Sequence, residues 1–135
     1  MEKKDIGELV YKSMLQVVFL EFYELLTVHY APRLSLQFDE AYVKAKIDGL
    51  LSIGKSRSNV QKKRAKNAIM TLEGAELITF LNGCFEEQKI QLLRQLRRVL
   101  GETPEYTDCE TFLTEVVEEE KDKIKKLIKK ELKNG

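Results

Sequence analysis

Residues 49–72 read GLLSIGKSRSNVQKKRAKNAIMTL. Across these 24 positions there is no Asp or Glu, while Lys55, Arg57, Lys62, Lys63, Arg64 and Lys66 build a local charge of +6 in a chain whose total is +1. How the stretch is parsed decides the fold. Ala65, Ala68, Ile69 and Leu72 fall within about 100° of arc at helical spacing, so they form a packing face, with Lys62, Lys63, Arg64 and Lys66 covering most of the rest. Gly54 punctuates the run. The expectation is one helix from an Asp39 N-cap to about Ile53, a stop at Gly54, and a further helix capped by Ser56 or Ser58 that runs toward Leu72.

Upstream, apolar residues recur at helical spacing over residues 5–30, and nothing breaks the pattern before Pro32. Its two halves do not share a face. Ile6, Val10 and Val17 point one way, whereas Phe22, Leu26 and Tyr30 point another, as expected of a helix central to a bundle. Pro32 predicts the helix end, with residues 33–38 as a connector. Downstream, Glu73-Gly74 predicts a break, followed by a short helix over residues 75–85 that Asn82-Gly83 closes. Residues 86–100 form a further helix, with Ile90, Leu93, Leu96, Val99 and Leu100 inward and Arg94, Arg97 and Arg98 outward, stopped by Gly101 and Pro104. The last helix begins at Thr107 or Asp108 and covers about residues 107–133, long enough to project from the body. It is acidic first and basic later, which complements the helix dipole. No segment alternates with period two. The fold expected is all-α: a single domain over residues 1–135, a bundle of five or six helices with a long C-terminal helix.

At 135 residues, with 43% apolar and 33% charged side chains, the chain is large enough for one core without cross-links. Cys84 and Cys109 are 25 positions apart with no CxxC spacing, and His29 is the single histidine, so neither a zinc site nor a disulfide framework is indicated. No cofactor-binding motif, HExxH or nucleophile elbow is present, and a non-enzymatic protein is expected. The apolar stretch after Lys3 and Lys4 is interrupted by Gln16, Glu21 and Glu24, which argues against a signal peptide or membrane span and for a cytoplasmic protein. Charge is arranged in blocks: net −2 over residues 1–48, +6 over 49–72, −8 over 73–120 and +5 over 121–135. Such blocks suit a polarised surface that binds a polyanion or meets acidic residues of its own chain or of a second copy.

Residues 50–65 partly resemble a DNA-binding helix-turn-helix. Gly54 stands where the turn glycine would be, Ser56 where the second helix is commonly capped, and Val60 where an apolar residue anchors that helix to the first. Lys55, Lys63 and Leu50 depart from the pattern, which prefers apolar residues at the first two positions and a small one at the third. The resemblance implies that Arg57, Asn59, Gln61 and Lys62 reach base edges, Arg toward guanine and Asn or Gln toward adenine, while Lys55, Lys63, Arg64 and Lys66 hold phosphates. An ordinary helix with a solvated basic face accounts for the same charges. The expected partner is nucleic acid, DNA ahead of RNA, with a homodimer or an acidic protein partner as the other reading, and no membrane.

Three smaller features bear on packing. Glu21 and Glu24 share a face with Ile6 and Val17, so ion pairs to Arg94 or Arg97 are expected. His29 reads as a helix-terminal or packed side chain. From Lys121 onward, Ile124, Leu127, Ile128 and Leu132 line one side against lysines on the other, the pattern of a helix that packs or self-associates.

Overall fold

The computed structural model describes residues 2–132, and among them every element is a helix. Four long helices run up, down, up and down. The first, α1, occupies residues 3–35 without leaving helical geometry, but it changes winding along its length: α over Lys3–Gln16, π over Val17–Phe22, α over Tyr23–Leu25, π over Leu26–Tyr30 and α over Ala31–Ser35. Then come α2 (Glu40–Thr71), α3 (Gly74–Leu100) and α4 (Pro104–Glu131), joined by connections short enough to force antiparallel neighbours. At 1.5 Å per residue the 32 residues of α2 extend about 48 Å.

The π-helical windings explain the split face of α1. Each wide turn takes an extra residue relative to the α pattern, so the inward stripe changes phase between Val10, Met14 and Val17 on one side and Phe22, Leu25 and Leu26 on the other; all six are buried. The same change carries Glu21 and Glu24 away from the core. Neither pairs with Arg94 or Arg97: Arg97 is bound to Glu102, Arg94 hydrogen-bonds Gln91, and Glu21 instead lies among Glu24, Glu119 and Glu120. Pro32 does not stop the helix either. It follows directly on the second π winding, where the regular ladder is already interrupted and the missing N–H and the ring are accommodated.

Two expected breaks are absent. Gly54 lies in the middle of α2, and Gly83 in the middle of α3, so five or six helices become four. At Gly54 the reason is packing. A Cβ there would stand 2.9 Å from Val18 Cγ1 and 3.3 Å from Leu92 Cδ2, so only glycine lets α1 and α3 close on α2 at this level. The helix-turn-helix resemblance therefore fails at its turn. The real punctuation sits elsewhere: Asp39 caps α2 by accepting from the Tyr42 amide at 2.9 Å, Gly74 and Gly101 have φ of +55° and +71°, and Thr103 caps α4 with Pro104 in its first turn, earlier than Thr107. Ile90, expected inside, is exposed, as is Tyr42.

The C-terminal helix does not project. Cys109, Leu113, Val117, Ile124 and Ile128 are all buried, so α4 docks along the bundle as far as its end; residue 133 lies outside the described residues. Ser13 of α1 donates to Glu120 of α4 at 2.6 Å, closing the four-helix ring. Across its diagonal, Gln88 of α3 donates through Nε2 to the Met14 carbonyl and to Ser58 Oγ, both at 2.8 Å. Met14 precedes the first π winding, where the α ladder changes register, so Gln88 supplies a donor at the point of irregularity. No helix among the described residues is long and apolar enough to cross a membrane.

Candidate nucleic-acid interface

The eight residues singled out from the sequence lie on three sides of α2. Toward α1, Lys66 pairs with Glu8, Lys62 sits 4.2 Å above the Tyr11 ring, and Asn59 accepts a hydrogen bond from the Tyr11 hydroxyl. The ammonium of Lys66 holds the Glu8 carboxyl below its ordinary range. Toward α3, Gln61 is buried and donates to Glu87 at 2.9 Å; Arg64 binds the same carboxylate and also lies over the Phe80 ring. Five of the eight are thus engaged within the molecule. Lys55, Arg57 and Lys63 remain exposed, with no ion pair among the described residues.

The α2–α3 seam has two unlike ends. At one end Arg64, Gln61 and Glu87 close it. Along the same stripe of α2, Lys46, Ile53 and Arg57 precede Arg64 at spacings of 18, 11 and seven residues, close to whole helical turns, and on α3 Arg94 and Arg98 follow Glu87 at seven and 11. Here the seam opens into a pocket of about 430 Å³ whose lining includes Lys46, Leu50, Ile53, Gln95, Arg98 and Val99, and no carboxylate. Gln95 is 8% exposed, and its amide has no hydrogen-bond partner among the described residues but is still reached by solvent at the pocket. At the rim, Phe38 and Tyr42 stack with centroids 4.1 Å apart and planes 20° apart, and the Lys46 ammonium lies 5.5 Å from the Tyr42 ring centroid.

Acidic side chains gather elsewhere. Burial and then Glu24, Glu119 and Glu120 raise the Glu21 carboxyl, marking the α1–α4 side as negative. Glu105 is held low by Arg33 and, less strongly, by His29, which places the single histidine in an ion-paired cluster near the end of α1. A larger cleft of about 660 Å³ near the α3–α4 turn is lined by Arg97, Glu102, Asp108 and Glu110, so its cation is already neutralised. Burial pushes both thiols up to about 11, Cys84 and Cys109 alike, which leaves them protonated and unreactive near neutrality. No group of three or more His, Cys, Asp or Glu among the described residues is placed to hold a metal ion.

Lys46, Gln95 and Arg98 are not evident as a group in the sequence, for an identifiable reason. If Gly54 is a turn, Lys46 and Arg57 belong to different helices; on one continuous helix their 11-residue spacing puts them on one stripe. Gln95, one heptad beyond Gln88, carries no signal of its own in the sequence. The chain matches no protein-family model, no curated protein and no solved structure.

Proposed function

We propose that this is a small helical nucleic-acid-binding protein that grips a phosphodiester backbone along the outer surface of α2 and the open end of the α2–α3 seam. The observation that carries the reading is a group of cations on α2 and α3 without a carboxylate partner among the described residues, Lys46, Lys55, Arg57, Lys63, Arg94 and Arg98, beside the exposed Phe38–Tyr42 stack; other lysines, such as Lys12 on α1, Lys44 on α2 and Lys125 on α4, also lack one. Cations that are not neutralised by a carboxylate are available to replace the counterions of a polyanion, and exposed aromatic faces add stacking that tolerates any base. The internally paired members of the acid-free window serve the fold instead. Binding through four to six phosphates gives a slope of about −3 to −5 in log K against log salt. Fluorescence anisotropy with labelled single- and double-stranded DNA and RNA, measured from low to physiological salt, tests this and distinguishes DNA from RNA. Absence of binding to every probe at low salt contradicts it.

A second reading, a protein-interaction module, is favoured by the outer face of α1. Phe19, Leu20, Tyr23 and Val28 are all exposed within ten residues, along both π windings. Light scattering after size exclusion distinguishes a homodimer from the 15.7 kDa monomer, and replacing Phe19 and Leu20 with Glu abolishes the dimer if this face forms it.

A further inference from the structure

We propose that the pocket at Gln95 takes one nucleotide unit: the base against Leu50, Ile53 and Val99, its polar edge on the Gln95 amide, and its phosphate on Lys46 and Arg98. The ligand class rests on the nucleic-acid reading above. The pocket adds what that reading lacks, an open recess in which a base can seat rather than a flat surface it passes over.

Three features point to such a ligand. The volume, about 430 Å³, lies within the range of small-ligand pockets, and the walls are mostly apolar with few polar groups, as those pockets are. Gln95 as a residue is more than nine-tenths buried, lines this pocket and has no hydrogen-bond partner among the described residues, so its amide meets the solvent of the pocket, whereas Gln88, one heptad earlier on α3, spends its amide nitrogen on two internal acceptors. An amide offers a donor and an acceptor side by side, which matches the edge of a base and not a plain acyl chain. The cations at the mouth have no acid beside them, and Gly49, where a Cβ would meet nothing within 4 Å, leaves the entrance unobstructed. Outside, the Phe38–Tyr42 stack lies next to Lys46 and offers a surface for a neighbouring base, which is how unpaired strands are commonly held. The seated base must be unpaired, so the ligand is a free nucleotide or a nucleotide of a single strand.

The two sources are separated by one set of titrations on the intact chain, followed through the Gln95 side-chain amide resonance in nitrogen-proton NMR. The probes are the four ribonucleoside monophosphates and single-stranded DNA and RNA decamers. The expected result is a saturable shift of the Gln95 amide with the decamers, about tenfold weaker decamer binding in Gln95→Leu, and no change in the salt slope of that variant, because Gln95 touches no phosphate. Lys46→Glu with Arg98→Glu flattens the slope by one to two. A shift with monophosphates alone assigns the pocket to free nucleotides and removes the strand-binding reading. Decamers that bind as tightly to Gln95→Leu as to the parent, with an unmoved amide resonance, overturn the pocket while leaving the nucleic-acid reading intact. No shift and no binding with any probe overturns both. Thermal unfolding of Gln95→Leu serves as the folding control, and Gln95→Glu, which removes the amide donor that meets the base edge, gives an independent loss of binding.

Discussion

Gln88 and Gln95 occupy the same inward face of α3, one heptad apart, and both are buried, yet they do opposite things. Gln88 lies where three helices meet and ties α3 to the Met14 carbonyl and the Ser58 hydroxyl; Gln95 lies where the α2–α3 seam opens, and its amide meets no internal partner. The same contrast holds for the charges. Arg64 and Lys66 are bound to Glu87 and Glu8, whereas Lys46, Arg57 and Arg98 lack a carboxylate. Polar groups that are matched internally hold a bundle in register, and those that are not are available to a ligand.

Changes where the helices pack closest bear hardest on stability. Gly54→Leu forces a side chain into the space held by Val18 and Leu92 and destabilises the fold by about 3 kcal/mol in urea unfolding, an overpacking cost far above any gain in helix propensity. A neutral outcome would restore Gly54 as a flexible turn. Gln88→Leu removes both hydrogen bonds and costs about 2 kcal/mol, less whatever is regained because the Gln88 Oε1, buried without a partner among the described residues, goes with it. Gln95→Leu should leave stability within about 0.5 kcal/mol, since its amide bonds nothing internally and is reached by solvent at the pocket. Equal losses at the two glutamines would erase the comparison. Gly83→Ala, with nothing within 4 Å of its Cβ, gains roughly 0.5–1 kcal/mol and sharpens the difference between a packing glycine and an incidental one.

A smaller effect comes from pH. The Glu105 carboxyl, held low by Arg33 and His29, has a folded pKa below its unfolded value, so its contribution is present above the unfolded pKa and is lost as pH falls through the folded one. Glu105→Gln therefore flattens the acid limb of the stability profile and leaves the neutral region nearly level.

Much of this fold was legible in the sequence. Helical periodicity marks all four helices, Asp39 is a cap by chemistry, and Gly101 marks a stop that its positive φ bears out. What misled was glycine within helices: Gly54 is required by close approach of α1 and α3, and no local pattern distinguishes that from a turn. The phase change in α1 was visible as two unlike faces, but its cause, two π windings, depends on packing against the rest of the bundle. Of the proposed interface, the acid-free window pointed to α2 as the basic helix and to Arg57, Lys55 and Lys63. It could not show that Glu8, Tyr11 and Glu87 occupy most of the remainder, because those partners come from other helices.

On the proposal that the unpaired cations of α2 and α3 bind a polyanion while the paired ones serve the fold, charge reversal at the unpaired ones removes binding and spares folding. Anisotropy of a labelled single-stranded decamer, titrated across salt with the parent chain and with the fourfold variant Lys46→Glu, Arg57→Glu, Arg94→Glu and Arg98→Glu, tests it most directly. The expected result is salt-dependent binding by the parent and at least a hundredfold loss in a variant that still unfolds cooperatively. A variant that binds as tightly as the parent, or a parent that does not bind at low salt, would contradict it.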